Sequence, residues 1–274
     1  RRWAGSGAGA PPVSGLHRQA RARIIRVPAT VPPRATLSAL DFAPGLVLRG
    51  VVPPLALEDF RLIAFDMDST LINIECIDEI ADAAGRKAEV AAITEAAMRG
   101  EITDFKDSLR RRVALLKGVS VADMERVYTE RLRLNPGAAK LVRACHDAGL
   151  KVLLVSGGFT FFADRVRATL GIDFVRANVL DVAEGGLLTG GLVNQAWGDI
   201  CDGHEKRRTV LELASLLGIT PAQCIAMGDG ANDLPMMGAA GLSVAYHAKP
   251  KVREQAMVSI ESGGLDRLLE VVRP

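Results

Sequence analysis

The segment Leu62–Thr70, with the sequence LIAFDMDST, decides how the fold of this chain is interpreted. Its first four residues are apolar, which predicts a short β-strand buried in a sheet. Asp66 and Asp68 follow directly, although two neighbouring carboxylates cost folding free energy because like charges repel and resist burial. In open α/β sheets, ligands bind at the carboxyl ends of the strands. The aspartate pair therefore predicts a functional site at the end of this strand.

Apolar and helical segments alternate along the chain after this strand. Such an alternation predicts a doubly wound α/β fold, with a parallel sheet and helices on both of its faces. Glycine pairs within residues 178–194 predict a small β-hairpin. Further strands are predicted at residues 151–155, 224–227, 241–245 and 257–260, and helices near residues 137–149, 160–170, 204–217, 231–239, 250–256 and 264–272.

One interval, residues 76–134, interrupts the alternation because it carries only helical patterns. Ser120 and Asp123 have the spacing of a capping box, which predicts the start of a helix. We therefore expect an all-helical cap domain, inserted after the first strand and lying over the carboxyl ends of the strands. The α/β core would then comprise residues 59–75 and 135–274.

Residues 1–58 differ in composition from the rest of the chain. They hold eight arginines and a net charge of +6, so the remaining residues carry −4 of the overall +2. We interpret them as an irregular, basic and partly disordered extension, with a linker or edge segment at residues 41–58. Because the basic charge lies in this extension, the folded part is not expected to bind nucleic acid. We expect a cytoplasmic protein, or an organellar one if the arginine-rich extension is a transit peptide.

Several other function classes are disfavoured by the composition. No run of about 18 uninterrupted apolar residues occurs, so no membrane partner is expected. The four cysteines are far apart and form no C-x-x-C pair, which predicts free thiols in a reducing compartment. The usual glycine-rich nucleotide loops do not occur. The oligomeric state stays open between a monomer and a homodimer.

Polar residues follow three of the predicted strands: Asp66, Ser156 and Asp229. If these strands are parallel, the three side chains meet at one edge of the sheet. Asp66, Asp68, Asp229 and Asp233 would form a cluster of carboxylate ligands there. Such a cluster fits Mg²⁺ better than Zn²⁺, because no histidine or cysteine accompanies it, and no loop typical of Ca²⁺ sites is present.

An aspartate can also act as a nucleophile in phosphoryl transfer, through an aspartyl-phosphate. A second carboxyl group nearby can carry the proton of the leaving oxygen. A bend after Asp66 would be needed to bring Asp68 to the same pocket, since residues i and i+2 separate at a strand end. Any single aspartate could instead cap a helix or form a turn, but aspartates at several strand ends favour a site.

Four segments stand out at or near the predicted strand ends: Asp66-x-Asp68-x-Thr70, Ser156-Gly157-Gly158, Lys206 and Gly228-Asp229-Gly230-x-Asn232-Asp233. They resemble, in the same order, the four motifs of the haloacid dehalogenase superfamily of phosphatases. The resemblance covers about residues 60–272 and is strongest to members that hydrolyse phosphoserine in the last step of serine biosynthesis.

This resemblance implies a role for each matching residue. Asp66 would be the nucleophile and Asp68 the general acid and base. Mg²⁺ would be held by Asp66, the backbone carbonyl of Asp68 and Asp229, with Asp233 supporting the metal site. The phosphoryl group would be held by Ser156, Gly157 and Lys206, and Asn232 would orient nearby groups.

The predicted cap contributes a second set of candidate residues. On the helix near residues 103–116, Arg112 lies on an apolar stripe with Phe105, so it either reaches solvent or faces an anionic partner. The resemblance implies that Arg112 binds the substrate carboxylate and Glu75 the substrate ammonium. It also implies that Met98 and Phe105 close over the site, although both could equally be core residues of the cap.

Two alternatives to a phosphoserine-hydrolysing enzyme stay open. One is a phosphatase or phosphotransferase of the same superfamily that acts on a different small amine phosphate. The other is a non-catalytic binder of phosphoserine or a metabolite, which is disfavoured because a binder has no need for both Asp66 and Asp68.

Overall fold

A mixed, mostly parallel β-sheet forms the centre of the protein. The computed structural model describes residues 38–98 and 101–273, so the predictions made for residues 1–37 lie outside the described residues. Within that part, nine strands pair in the order β1-β2-β10-β9-β8-β4-β5-β6-β7, and β3 pairs separately with β11. The strands are β1 (Ala39–Ala43), β2 (Leu46–Arg49), β3 (Leu55–Ala56), β4 (Leu62–Phe65), β5 (Lys151–Phe159), β6 (Phe174–Val182), β7 (Leu188–Val193), β8 (Cys224–Gly228), β9 (Leu242–Tyr246), β10 (Val258–Ile260) and β11 (Val272–Arg273).

Helices cover the sheet and fill one long insertion. They are α1 (Cys76–Ala83), α2 (Lys87–Met98), α3 (Phe105–Ala114), α4 (Val121–Arg126), α5 (Ala138–Asp147), α6 (Thr160–Leu170), α7 (Gly203–Leu216), α8 (Leu234–Ala239) and α9 (Pro250–Gln255). None of these helices, within the described ranges, has the length and apolar character needed to span a membrane. The predicted helix near residues 264–272 is a 3₁₀ segment, Leu265–Glu270, followed by β11.

The central strand β4 contains the apolar run with which the sequence analysis began. All four of its residues are buried. Ile63 and Phe65 pack on one face of the sheet and Leu62 and Ala64 on the other, which explains the continuous apolar run. Parallel neighbours β5 and β8 lie on either side of β4. The carboxyl ends of these three strands therefore meet at the residue that follows β4, Asp66.

The predicted parallel α/β architecture is confirmed for β10, β9, β8, β4, β5 and β6, while the outer strands are antiparallel. The hairpin predicted at residues 178–194 is formed by β6 and β7. Strand β6 begins earlier than predicted, at Phe174, because its first half pairs with β5. Arg176 interrupts the apolar pattern there, so the sequence did not indicate a strand.

Residues 39–49 form the antiparallel hairpin β1–β2 at one edge of the sheet. The sequence analysis placed them in an irregular extension that reached residue 58, with an edge segment from residue 41. Strand β2 pairs with β10, and it buries Leu46 and Leu48 in the core. A four-residue strand beside proline- and glycine-rich segments gives too short an alternation to be recognised in the sequence.

The insertion contains α1 to α4 and a π-helical turn, Val127–Arg131, and we refer to residues 76–131 as the helical segment. The capping box predicted at the start of α4 is present, since the side chain of Ser120 accepts from the N–H of Asp123 and the carboxylate of Asp123 accepts from the N–H of Ser120. The division of the chain into a cap domain and a core stays a prediction.

Two linkers join the helical segment to the sheet and run beside each other. Ile72 of the outgoing linker forms an antiparallel bridge with Leu134 of the returning linker. The side-chain amide of Asn135 donates to the carbonyls of Thr70 and Ile72, at 2.8 and 3.0 Å. The chain therefore leaves and re-enters the core at adjacent points.

We predict that Leu48→Ala lowers the free energy of unfolding by about 2 to 5 kcal/mol, because it leaves a cavity where β2 joins the core. Val52→Ala, at a side chain that is 85% exposed, serves as the control and is expected to change stability little. Urea unfolding followed by circular dichroism would measure both. Equal stability of Leu48→Ala and the parent protein would show that the hairpin is not part of the core.

Candidate active site

A buried lysine lies between two aspartates at the end of the central strands. The Nζ atom of Lys206 is 2.7 Å from Oδ1 of Asp66 and 2.7 Å from Oδ1 of Asp233. The lysine side chain is fully buried. Burial alone would lower the pKa of Lys206, but Asp233 and Asp66 together raise it above its usual value. Lys206 is therefore a permanent cation that holds one oxygen of each carboxylate.

Asp233 also organises the loop after β8. Its Oδ2 accepts hydrogen bonds from the N–H groups of Asp229 and Gly230, at 3.1 and 3.0 Å. A Cβ atom at Gly228 would lie only 2.4 Å from the carboxylate of Asp233, so only glycine fits there. This loop directs the carboxylate of Asp229 toward the end of β4, where Thr70 donates to it at 3.4 Å.

Three carboxylates form a candidate metal site. Ligand oxygens of Asp66, Asp229 and Asp233 lie within 4.8 Å of one another. Oxygen-only donors of this kind suit a hard divalent cation. The oxygens of Asp233 also accept hydrogen bonds from Lys206 and two backbone N–H groups, and its supporting role at the metal site stays a prediction. The carboxylate of Asp68 does not belong to this group, and a metal contact through its backbone carbonyl stays a prediction.

The bend that the sequence analysis required after Asp66 is present. Residues 67–71 form a tight turn in which Ser69 has a left-handed backbone conformation, with φ of 57°. The turn brings Asp68 to the same cavity as Asp66. There the oxygens of Asp68 accept from the N–H and the thiol of Cys76, the first residue of α1, both at 3.1 Å. The start of α1 thus orients the predicted general acid.

Burial and mutual repulsion raise the pKa values of these carboxyl groups. Burial and the charge of Glu75 raise the pKa of Asp68 to about 7. Burial, Asp233 and Glu75 raise the pKa of Asp229 to about 7. Burial, Asp233 and Asp229 also raise the pKa of Asp66, against the opposing effect of Lys206. Without a bound cation, this site therefore favours protons on its carboxylates.

A cavity of about 300 Å³ opens above these groups and brings together most of the predicted residues. Lys206 and Asp233 lie buried beneath it. The side chain of Met98 lies outside what the structure describes, although its backbone ends α2. The predicted residues that line the cavity are Asp66, Asp68, Glu75, Phe105, Arg112, Ser156, Gly157, Asp229 and Asn232.

Arg112 extends from α3 into this cavity. Its Nε atom is buried and has no hydrogen-bond partner among the described residues. Burial lowers the pKa of Arg112, while the nearby charges of Asp78, Glu75 and Asp68 oppose that shift. Its neighbours pair with other groups: Arg110 pairs with Asp199 and Arg111 with Asp107. A buried donor without a partner is costly, so the cavity favours an anionic group beside Arg112.

Several residues of the site were not predicted from the sequence. Cys76 holds Asp68, and Asp78 lies close enough to influence Arg112. Lys249 lines the cavity, and its N–H donates to the carbonyl of Asp229 at 3.1 Å. Asn178, buried within β6, donates to the carbonyl of Gly157. Asn178 shares its strand with Arg176 and Asp181, so its polar side chain gave no distinct signal in the sequence.

The fold and the site together define a class of hydrolase. Carboxylates, a buried lysine and glycine-rich turns meet at the carboxyl ends of parallel strands, with a helical insertion beyond the first of these strands. A sequence model of the haloacid dehalogenase-like hydrolase family matches residues 63–238, and the chain belongs to this family. The predicted resemblance and the predicted fold class are thereby confirmed.

Within this family the chain is similar to phosphoserine phosphatases. The phosphoserine phosphatase of Polaromonas sp. is 75% identical over 233 residues, which cover 85% of this chain and 98% of that protein. The phosphoserine phosphatase of Albidiferax ferrireducens is 71% identical over 232 residues, with the same coverage of both chains.

Two solved structures have a similar fold. A phospho-aspartyl intermediate analogue of phosphoserine phosphatase superimposes with a TM-score of 0.71 at 38% identity, over 78% of this chain and 99% of that chain. A substrate-bound phosphoserine phosphatase complex superimposes with a TM-score of 0.71 at 37% identity, again over 78% and 99%.

We predict that, with metal removed by a chelator, the protein loses stability as the pH rises from about 4 toward 7. Burial and the charge of Asp233 raise the pKa of Asp229 to about 7 in the folded state, from an ordinary value of 3.8. Between these two pH values the folded state keeps a proton on Asp229 that the unfolded state has lost. This proton stabilises the folded state, and the stabilisation disappears as the pH rises and the proton dissociates. Urea unfolding at several pH values would measure the slope. Asp229→Asn, which resembles the protonated acid, should show a shallower slope, and an unchanged slope would contradict the shift.

Proposed function

We propose that this protein hydrolyses O-phospho-L-serine to L-serine and phosphate through an aspartyl-phosphate on Asp66, as the last step of serine biosynthesis. One observation carries the proposal. The same cavity has Asp66, held by Lys206, on one wall and the unpartnered buried Nε of Arg112 on another. A phosphoryl group and a carboxylate on one small substrate would satisfy both walls. The high identity to phosphoserine phosphatases supports this substrate.

In the first step, a carboxylate oxygen of Asp66 attacks phosphorus, and the bond from phosphorus to the serine oxygen breaks. Lys206 holds Oδ1 of Asp66, which fixes the direction of the carboxylate before the attack. Asp68 gives its proton to the departing serine oxygen. A pKa of about 7 leaves a large fraction of Asp68 protonated at neutral pH, as a general acid requires.

In the second step, a water molecule attacks phosphorus of the aspartyl-phosphate. Asp68, now ionised, takes the proton of that water, and phosphate and free Asp66 result. A group with its pKa near the working pH can carry out both proton transfers. The thiol and N–H of Cys76 hold the two oxygens of Asp68 in place throughout.

Charge on the phosphoryl oxygens is offset by groups from three segments of the chain. We assign the hydroxyl of Ser156, the backbone N–H of Gly157 and the ammonium of Lys206 to this task. Donors that are already oriented before the reaction stabilise the transition state without a cost of reorganisation. Asn232, which lines the cavity close to Gly230, orients neighbouring groups.

We assign Mg²⁺ to the acidic cluster, held by Asp66, Asp229 and the backbone carbonyl of Asp68, with Asp233 in support. Hard oxygen donors and raised carboxyl pKa values both fit a divalent cation. When bound, Mg²⁺ neutralises charge on the transferring phosphoryl group.

The amino-acid end of the substrate would bind between Glu75, just before α1, and the helical segment. We propose that this segment belongs to a cap domain that comprises residues 76–134. The guanidinium of Arg112 suits a carboxylate because of its planar pair of donors. Glu75 suits the ammonium, and its Oε1 already accepts from the hydroxyl of Ser69 at 2.7 Å. Phe105 and Met98 would cover the bound substrate.

We predict that Asp66→Asn abolishes turnover, because an amide cannot form the aspartyl-phosphate. Phosphate release from phospho-L-serine would measure this loss, and circular dichroism would check that the variant is folded. Asp107→Asn, on the exposed side of α3, is the matched control and should retain activity. Turnover by a folded Asp66→Asn protein would refute the mechanism.

We predict that Arg112→Ala lowers kcat/KM for phosphoserine about 10- to 100-fold, the effect of losing hydrogen bonds to a charged group. Phosphoethanolamine keeps the ammonium but lacks the carboxylate, so its kcat/KM should change much less. Arg111→Ala on the same helix is the control. An equal loss with both substrates would contradict the carboxylate role. Product analysis with added alcohols would separate hydrolysis from phosphotransfer.

We predict that EDTA abolishes activity and that added Mg²⁺ restores it. Asp229→Asn should raise the Mg²⁺ concentration needed for half-maximal activity, because it removes one anionic ligand. The same titration followed by thermal unfolding would report binding independently of turnover. Full activity in the presence of EDTA would overturn the metal assignment.

A further inference from the structure

Strands β5 and β6 pair irregularly beside the proposed phosphoryl site. Val155 pairs with Arg176 and Phe159 pairs with Asn178, so β5 has two more residues than β6 between these pairs. The extra residues lie within Ser156–Gly158. A bulge of this kind takes backbone groups out of the ladder and leaves them in need of other partners.

The side chain of Asn178 supplies a partner for one of these groups and also bonds to a second segment. Its Nδ2 donates to the carbonyl of Gly157 at 2.7 Å, and its Oδ1 accepts from the N–H of Cys201 at 2.8 Å. The side chain lies inside the protein, and the residue is 1% exposed. An amide group has a donor end and an acceptor end, so these two bonds define a single orientation.

The first bond acts on Ser156 through the peptide group between Gly157 and Gly158. In a trans peptide the carbonyl and the N–H point in opposite directions, so holding the carbonyl of Gly157 also directs the N–H of Gly158. That N–H donates to Oγ of Ser156 at 2.8 Å. The oxygen of the hydroxyl is thereby held as an acceptor.

The proton of the same hydroxyl stays available to a ligand. Within the described part of the chain, the hydroxyl of Ser156 donates to no protein group, and Ser156 lines the cavity. A Cβ atom placed on Gly158 would lie 3.1 Å from both Oγ of Ser156 and Oδ2 of Asp68. The serine hydroxyl therefore lies beside the predicted general acid, where the phosphoryl group would bind.

The second bond acts on the segment that leads to Lys206. Cys201, whose N–H donates to Asn178, is two residues before the first residue of α7, Gly203. Lys206 lies in the first turns of that helix, and its N–H donates to the carbonyl of Asp202. One buried amide thus joins the two segments that carry Ser156 and Lys206.

We propose that Asn178 is a positioning residue for phosphoryl transfer, which acts through the hydroxyl of Ser156 and through the spacing between Ser156 and Lys206. This inference rests on the proposed role of Ser156 in binding the phosphoryl group. Because the phosphoryl group is common to all substrates, Asn178 affects every phosphomonoester alike, in contrast to Arg112.

The test compares Asn178→Ala, Ser156→Ala and the double variant on phosphoserine and on phosphoethanolamine. We expect Asn178→Ala to lower kcat/KM about 10-fold, by the same factor for both substrates. The kcat/KM of the double variant should be little lower than that of Ser156→Ala alone, because the effects of substitutions at residues that act as a unit are not additive. If Asn178→Ala acted independently of Ser156, the factors by which the two single variants lower kcat/KM would multiply in the double variant.

Two controls separate positioning from loss of stability. Asn194→Ala makes the same truncation at an exposed site just after β7 and should leave kinetics unchanged. Val258→Ala, in the buried strand β10, lowers stability away from the cavity and should also leave kcat/KM unchanged. If Asn178→Ala does not fold, Asn178→Ser replaces it in the same comparison. The hydroxyl introduced by Asn178→Ser can form a hydrogen bond with one of the two backbone groups, so this variant is expected to be more stable.

The outcomes distinguish the inference from the proposed function. Parent-like kcat/KM in a folded Asn178 variant, or fully multiplicative losses in the double variant, would overturn the inference alone. If Ser156→Ala keeps full activity on both substrates, the assignment of the phosphoryl site is wrong, and the role of Asn178 falls with it.

Discussion

The buried ammonium group of Lys206 is the interaction on which the rest of the site depends. It separates Asp66 at the end of β4 from Asp233 in the loop after β8, with 2.7 Å to each. Without the lysine, two carboxylates so close together would resist burial because their charges repel. Removing one partner of a buried ion pair typically costs about 3 to 5 kcal/mol of stability. One side chain therefore joins the central strand, the acidic loop and α7 into a fixed frame.

The helical segment adds the residues that we propose for substrate recognition, and it is connected to this frame at Asp68, the proposed proton donor. Asp68 belongs to the turn after β4, yet both of its oxygens bond to Cys76, the first residue of α1. The position of the helices and the orientation of the acid are thus coupled. Arg112 and Phe105, on α3, face the same cavity from the other side. The residues proposed for chemistry and those proposed for substrate binding come from different parts of the chain but line one cavity.

Much of this arrangement was predictable, because apolar runs that end in aspartate or serine carry a clear physical meaning. The central strands, the helical interval and the clustering of Asp66, Asp229 and Asp233 all follow from that pattern. Contacts made by single side chains could not be predicted in this way. Cys76 donates to the carboxylate of Asp68 across a turn, and Asn178 bonds to backbone groups that are distant in the sequence, and neither contact follows from a local pattern. The edge hairpin β1–β2 was missed because its strands are short and lie among prolines and glycines.

The adjacent linkers of the helical segment have a consequence for how such a protein can diversify. Because Ile72 and Leu134 are bridged and Asn135 ties the two linkers together, the core is closed at the root of the insertion. The cost of closing a loop grows only slowly with its length. The segment between these points can therefore be lengthened, shortened or exchanged while the strands keep their register. Selectivity can change in this way by replacement of a module, with the phosphoryl-transfer machinery left intact.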